Sequence, residues 1–254
     1  MTITKKYLFR KVPEITIYFW IVKLLTTAMG EATSDYMVHR LNPFIAVAIG
    51  GVALLIALYI QFSVSKYIAW VYWLAAAMVA VAGTMAADAL HIEFAVPYVV
   101  SSVFFAVALI FIFIAWYRSE GTLSIHSINT RRREIYYWLT IMATFALGTA
   151  LGDMTAVTLH LGYFTSGLLF TGLIAIPLIA YWFGFNEIIC FWIAYILTRP
   201  LGASFADWFG VPKSIGGLGL GRGAVSISLT LMIVSFIIYL SISRKDTKVY
   251  KKIV

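Results

Sequence analysis

Charged side chains are scarce in this sequence: Asp, Glu, Lys and Arg make up 12% of the 254 residues, whereas 62% are hydrophobic. The mean hydropathy of +0.91 lies far above that of soluble globular domains. Cys190 is the single cysteine, which excludes an internal disulfide. The sequence also lacks HExxH, GxSxG and any histidine pair at metal spacing inside an apolar run. We therefore expect neither an enzyme nor a cofactor.

Long apolar runs fill most of the chain instead. Runs of about 20 residues are long enough to cross a bilayer as helices. The first run follows a basic N-terminus but carries Lys23, Glu31 and Asp35, so we interpret it as a retained span rather than a cleaved signal peptide. We predict an all-α polytopic membrane protein, one membrane domain over 1–254, with eight transmembrane helices near 15–35, 44–63, 68–88, 97–117, 136–157, 164–184, 188–207 and 224–243.

The basic residues are distributed unevenly between the two sides of these spans. With both termini in the cytoplasm, only Arg40, Lys213 and Arg222 fall outside, and Lys23 and Arg199 lie within spans. The cytoplasmic side then receives 14 of the 19 Lys and Arg: Lys5, Lys6, Arg10, Lys11, Lys66, Arg118, Arg131, Arg132, Arg133, Arg244, Lys245, Lys248, Lys251 and Lys252. This asymmetry follows the positive-inside rule and predicts an N-in, C-in topology. The net charge of +8 thus reflects topology, and we expect no nucleic-acid partner.

The pattern W-x9-G-x4-D occurs four times, which indicates four copies of one unit. The copies are Trp20–Gly30–Asp35, Trp73–Gly83–Asp88, Trp138–Gly148–Asp153 and Trp192–Gly202–Asp207. Each copy is a helix with this pattern, a short outer loop and a second, apolar helix, so all units enter the membrane in the same direction. We predict parallel two-helix repeats over 15–63, 68–117, 136–184 and 188–243, with 118–135 as a cytoplasmic linker between the halves.

Helical geometry places the polar residues of each first helix on one face. At about 100° per residue, Trp20, Lys23, Glu31 and Asp35 share a stripe, and Gly30 lies on another face, where a neighbouring helix can approach closely. The second helices carry no charge within their spans, so we expect the odd-numbered helices to be the inner ones. Equivalent positions then stack in layers, with the four Trp at the inner membrane interface and the four Asp about 22 Å away at the outer one.

A ring of carboxylates at an outer mouth is a common means of concentrating cations. Glu31 and Arg199 lie deeper in the membrane, where an unpaired charge is costly, and we interpret them as a switch in the path. Phe145 would form an apolar constriction, and Pro200 would kink its helix. Simpler interpretations stay open: the Asp residues as loop caps, the Trp residues as an aromatic belt, Arg199–Glu31 as a structural pair, and Lys23 as a side chain that reaches the interface.

Three histidines follow the Asp residues on the outer side: His39, His91 and His160. Imidazole and carboxylate together suit a divalent transition metal, so these residues are weak candidates for metal ligands. Their spacings from Asp are 4, 3 and 7, and the fourth unit has none. Surface histidines without a role are therefore the more common explanation.

The segment from Gly216 to Gly223 contains a glycine-rich pattern that superficially suits a phosphate. It lies between two spans with no strand before it, which argues against a nucleotide site. We expect a tightly folded or re-entrant loop over the outer mouth, with Arg222 facing the ring of Asp residues.

The segments KVPEITIYFW, ALGTALGD and TRPLGASFADW resemble an uncharacterised family of bacterial integral membrane proteins. That family consists of four tandem two-helix repeats of unknown function, each with a characteristic Trp. The resemblance covers roughly 14–243 and matches Trp20, Trp73, Trp138 and Trp192. It implies a multi-pass protein of the bacterial inner membrane and supplies no activity.

The leading hypothesis is a transporter of a cation (proton, alkali or divalent metal) along a path lined by the odd-numbered helices. Its site residues would be Asp35, Asp88, Asp153, Asp207, Glu31, Arg199, Lys23, Trp20, Trp73, Trp138 and Trp192. The alternative is a membrane-embedded binding protein for a metal complex, lipid or organic anion, centred on Arg199. The expected partners are membrane lipids and a small ion or molecule, and a homo-oligomer is left open.

Overall fold

The computed structural model describes residues 10–92 and 94–247. This part of the chain consists of helices and connecting loops, without a strand. Lys5, Lys6, Lys248, Lys251 and Lys252, which contribute to the predicted charge asymmetry, lie outside the described residues. The eight long helices are α1 Ile17–Arg40, α2 Pro43–Ser63, α3 Ala69–Ile92, α4 Tyr98–Glu120, α5 Arg131–Asp153, α6 Tyr163–Trp182, α7 Glu187–Gly210 and α8 Arg222–Ser243.

Seven of these helices, α2 to α8, are long and apolar enough to cross a membrane, which supports a multi-pass membrane protein. Helix α1 is equally long, with 24 residues over about 36 Å. It differs from them because Lys23, Glu31 and Asp35 are spread along its length, whereas the charged residues of α5 lie at its two ends. The prediction of eight apolar spans is therefore met by seven, and α1 differs from them in composition rather than in length.

The odd-numbered helices extend further than predicted. Each continues past its Asp residue except α5, which ends at Asp153 and passes into a π-helical turn, Met154–Thr158. Helix α5 also begins at Arg131, because the Thr130 hydroxyl accepts from the Arg133 amide and caps the helix there. The predicted linker 118–135 is consequently shorter, since α4 continues to Glu120.

Burial alternates along the chain. Buried residues make up 61%, 72% and 56% of the apolar stretches of α3, α5 and α7, but 17% of α2 and 22% each of α4, α6 and α8. Helix α1 belongs with the buried set, because it contacts α3, α7 and α8 and encloses Lys23 and Glu31. The described residues thus form an inner group of four odd-numbered helices and an outer group of four even-numbered ones.

The inner helices form a closed ring. Helix α1 packs against α3, α3 against α5, α5 against α7, and α7 against α1. Each outer helix packs mainly on the inner helix of the following unit: α2 on α3, α4 on α5 and α6 on α7, with α8 returning to α1. Every unit is therefore interlocked with the next, and the fourth closes on the first.

The glycine of each pattern sits at a junction of this ring. A Cβ added at Gly30 would come within 2.5 Å of the Ala80 Cβ, and one at Gly83 within 2.7 Å of the Phe145 Cβ. The same glycine of the third unit, Gly148, packs on Arg199. Gly202 of the fourth unit packs on Thr27 and completes the ring. Since Thr27, Ala80, Phe145 and Arg199 all lie seven residues after their Trp, the inner helices meet in one register at all four junctions.

The interior has two chemically distinct ends. At the end that carries the four pattern Trp residues, here called the Trp end, aromatic rings pack between neighbouring inner helices, as Tyr72 does with Trp138 at 5.6 Å between centroids. At the opposite end, here called the Asp end, lie Asp35, Asp88, Asp153 and Asp207. The candidate site lies between these two ends.

Candidate functional site

Four layers of inward-facing side chains line the interior between the two ends. From the Trp end they are Lys23/Ala76/Ile141/Tyr195, Thr27/Ala80/Phe145/Arg199, Glu31/Thr84/Thr149/Ala203 and finally the four Asp. All twelve side chains of the first three layers are buried. Each layer takes one residue from each inner helix, because the helices meet in one register. The interior is therefore filled at its centre and more accessible at the Asp end, where three of the four Asp are only half-buried.

A buried ion pair joins the first and fourth units. Arg199 Nη2 donates to Glu31 Oε2 at 2.6 Å, and the guanidinium and carboxylate are 0% and 3% exposed. The same nitrogen also contacts the Thr149 hydroxyl at 2.6 Å and the Thr84 hydroxyl, so its two hydrogens are shared among three oxygens. Nη1 donates to the Thr27 carbonyl at 3.3 Å. All four inner helices thus contribute to one hydrogen-bond network around Arg199. Charge-assisted hydrogen bonds of this kind offset the cost of burying both charges.

Lys23 is enclosed one layer towards the Trp end. Its Nζ lies 4.2 Å from the centroid of the Tyr195 ring and 4.3 Å from that of the Phe145 ring. Among the described residues this buried nitrogen has no hydrogen-bond acceptor, and its side chain does not extend to the surface. The Phe145 ring also lies 5.1 Å from the Arg199 guanidinium carbon, so one ring separates the two basic groups. Phe145 closes the centre of the interior.

The four Asp residues have different partners. Asp35 accepts from Arg222 Nε at 2.7 Å, and Asp88 accepts from the Ser34 hydroxyl at 3.2 Å. Across residues 10–92 and 94–247, no Lys or Arg nitrogen lies within ion-pair distance of Asp88, Asp153 or Asp207. Arg222 thus faces the acidic residues as expected, and carboxylates still exceed cations at the Asp end.

Three carboxylates converge where the Glu31 layer meets the Asp layer. One oxygen each from Glu31, Asp153 and Asp207 lies within 4.8 Å of the others. Carboxylate oxygens at such separations suit a hard cation or a shared proton. Asp153 ends α5 directly before the π-helical turn, a feature often found at functional sites. The structure therefore brings together Glu31, Asp153, Asp207 and Arg199, whereas Asp35 and Asp88 lie beside them with partners of their own.

The three histidines occupy separate positions at the Asp end. His39 is exposed and its Nδ1 lies 2.7 Å from the Asp35 carbonyl oxygen. His91 stacks on Tyr98 with 3.7 Å between centroids, and its Nδ1 lies 2.9 Å from the Val96 carbonyl oxygen. His160 is exposed in the loop after the π-helical turn. None of the three belongs to the carboxylate group described above.

Aromatic side chains close the Trp end. Trp73, Trp138 and Trp192 are buried and Trp20 is half-buried. Two tyrosines bridge α3 and α5 through a hydrogen bond between the Tyr72 and Tyr137 hydroxyls. The Trp192 Nε1 donates to the Leu123 carbonyl at 2.9 Å and ties α7 to the linker. These Trp residues therefore pack in the interior rather than forming only a belt at its surface.

The chain before α1 crosses beneath this aromatic cluster and forms a polar network there. The Lys11 ammonium contacts Glu134 at 2.7 Å, and Gln61 Nε2 donates to the same carboxylate at 2.9 Å. Nearby, the Tyr67 hydroxyl donates to Asp246, and burial raises the pKa of the Asp246 carboxyl. Sequence reasoning did not identify this network. Its one available signal was the Glu that begins the third unit, four residues before Trp138.

The fourfold repeat also appears when the chain is compared with known protein families. Four consecutive matches to a repeat of unknown function, DUF347, cover residues 18–67, 71–122, 136–184 and 190–246. Each match contains one inner and one outer helix. The chain matches no curated protein and no solved structure. Since the four matches account for most of its length, the chain belongs to the family built from this repeat of unknown function.

Proposed function

We propose that this protein transports a cation across the membrane and binds it between Glu31, Asp153 and Asp207. The observation that carries the proposal is that Glu31 belongs both to this carboxylate group and to the ion pair with Arg199. A cation that enters the group competes with the guanidinium for the same carboxylate. Binding would therefore release Arg199 from Glu31 and change the contact between α1 and α7.

The residues around Arg199 suit such a change. Pro200 follows it within α7 and cannot donate to the carbonyl four residues earlier, which weakens the helix there. Gly148 packs directly on the Arg199 side chain, so movement of the guanidinium would alter the junction between α5 and α7. Helix α7 is continuous from Glu187 to Gly210, and Pro200 marks the point at which it can bend.

The binding site would then open alternately towards the Asp end and towards the Trp end. In the structure, the half-buried Asp layer gives access from one side, while Phe145 and the aromatic cluster close the other. With an N-in, C-in topology, the Asp end faces outwards, and in this proposal the arrangement represents an outward-facing state. A bacterial inner membrane as the location is part of the same proposal.

Flux measurements in proteoliposomes test the proposal. Purified protein is screened with H⁺, Na⁺, K⁺, Mg²⁺, Mn²⁺ and Zn²⁺, beside the variants Asp153→Asn, Asp207→Asn and Glu31→Gln. We expect flux of one ion, reduced at least tenfold in each variant, because each removes one carboxylate from the site. Glu120→Gln is the matched control: Glu120 pairs with Arg133, lies at the Trp end outside the carboxylate group and should leave flux unchanged.

Equal flux in the wild type and the three carboxylate variants would refute a cation site at this position. Absence of flux for all six ions, from folded protein, would refute cation transport itself.

A second candidate function is the binding of a small anion. It is favoured by two buried donors without acceptors among the described residues, Lys23 Nζ and Arg199 Nε. In that case chloride or acetate, added to purified protein, should bind with an affinity that Lys23→Met reduces at least tenfold. The two functions separate because Asp153→Asn abolishes cation flux but leaves anion binding intact.

A further inference from the structure

A groove of about 690 Å³ lies beside α7 in the half of the molecule nearer the Trp end. Its walls come from α1 and α6, both of which pack on α7, and its floor is α7 itself. Trp20 and Leu24 line one wall, Ile174 and Leu178 the other, and Phe191 and Ala194 the floor. The volume lies within the range of about 300–1,000 Å³ that is typical of small-molecule sites.

The groove is apolar along its length and polar at one end. Its polar residues at that end are Glu14, Ser124, His126 and Glu187. The last residue of α6 and the loop that follows it lie at the same end and expose three aromatic side chains, Trp182 at 78%, Phe183 at 81% and Phe185 at 69%. Exposed aromatic residues of this kind mark the interface between lipid tails and head groups. The polar end of the groove therefore lies at head-group depth, and the apolar part lies along the acyl chains.

The charges at the polar end favour one kind of head group. Glu187 is exposed, and no Lys or Arg of residues 10–92 and 94–247 lies within ion-pair distance of it. Glu14 contributes a second carboxylate, which is paired with Arg10. A positively charged head group is thus complementary to the uncompensated charge of Glu187, whereas an anionic one would be repelled by it.

We propose that this groove binds one phospholipid with an amine-bearing head group. One acyl chain lies between α1 and α6 on the floor of α7, and the ammonium group contacts Glu187 and Glu14. The methyl end of this acyl chain reaches Thr198 and Leu201, the residues on either side of Arg199 and Pro200. The lipid thereby fills the space beside the junction of α1 and α7. This proposal stands on the groove alone and does not require cation transport.

A second, smaller groove on α7 provides a matched control. It has a volume of about 240 Å³, lies between α4 and α7, and is lined only by apolar and aromatic residues such as Phe113 and Ile193. Ile193 and Ala194 are neighbours on α7 but face different grooves. The same substitution at the two positions therefore tests one groove against the other.

Native mass spectrometry of the full chain, released from nanodiscs of equimolar phosphatidylethanolamine and phosphatidylglycerol, measures the retained lipid. We expect one phosphatidylethanolamine per chain, at least fivefold in excess of phosphatidylglycerol. Ala194→Trp fills the groove and should reduce retention at least fivefold, whereas Ile193→Trp should retain the lipid. Glu187→Gln should bring the ratio of the two lipids at least threefold closer to one, with total retention unchanged.

Equal retention by wild type and Ala194→Trp would overturn the proposed site, and a preference for phosphatidylglycerol in the wild type would overturn the proposed head group. Leu178→Trp provides a second filling variant from the α6 wall, at a side chain that is 53% exposed and tolerant of change. If Ala194→Trp does not fold, the lipid retained by Leu178→Trp tests the proposed site instead.

Discussion

At the Trp end Glu134 contacts both Lys11 and Gln61, whereas at the Asp end Asp153 and Asp207 converge with Glu31 and contact no Lys or Arg of the described residues. Both ends bury carboxylates, so burial alone does not distinguish them. The two ends differ in the partners of their carboxylates. At the Trp end, each buried acid contacts a cation or a neutral donor, whereas at the Asp end Asp153 and Asp207 lack a cation among the described residues.

Under the proposed function, this difference separates an end that stabilises the fold from an end that binds the cation. A buried carboxylate with a complete set of partners holds its surroundings in one arrangement. Carboxylates that repel one another lower stability and persist where a ligand relieves the repulsion, as is common at functional sites. Arg199 lies between the two ends, and its ion pair with Glu31 joins the acidic group to the rest of the ring.

The largest effect is expected from breaking this link. Arg199→Met leaves Glu31 buried without a cation and should lower the free energy of unfolding by about 3–5 kcal/mol. The double variant Arg199→Met/Glu31→Leu removes both charges and should recover most of that loss, because neither partner then remains uncompensated. Denaturant unfolding in detergent micelles measures both. Equal destabilisation of the single and double variants would show that packing on Gly148, rather than charge, is what Arg199 provides.

The sequence predicts the repeat architecture more completely than it predicts the site. The spacing of Trp20, Gly30 and Asp35, repeated four times, predicts the four units and the residues of each layer. It cannot predict that α2 packs on α3 rather than on α1, because the outer helices are apolar on all sides and carry no pattern that selects a neighbour.

The details of the site depend on side-chain geometry that spacing does not contain. Helical periodicity places Glu31 and Arg199 in adjacent layers, but which Asp residues join Glu31 depends on the π-helical turn after Asp153 and on the pairing of Asp35 with Arg222. The polar network of Lys11, Gln61 and Glu134 joins three separate segments of the chain. Only the tertiary structure brings such residues together.

The glycine junctions hold the inner helices in one register at both ends of the interior. A glycine-to-alanine substitution at one junction measures how much this close packing contributes to stability. Gly202→Ala would place a Cβ against Thr27 and the Ala28 backbone and should destabilise the protein by about 1–3 kcal/mol. Gly172→Ala in α6 is the matched control, because nothing lies within 4 Å of its added Cβ. Thermal unfolding of the two variants checks this, and a Gly202→Ala variant as stable as Gly172→Ala would contradict the close contact between α7 and α1.

The smallest effects test the comparison directly, because the same type of substitution at the two ends should have opposite signs. Glu134→Gln leaves the Lys11 ammonium without its counter-ion and should lower stability by about 1 kcal/mol. Asp207→Asn removes one of three converging carboxylates and should raise stability by about 0.5–2 kcal/mol, while it reduces cation flux at least tenfold. Denaturant midpoints and flux, measured on the same preparations, check both. If Asp207→Asn also lowers stability, then Asp207 makes favourable contacts like those of Glu134. The two ends would then not differ in how their buried carboxylates are balanced.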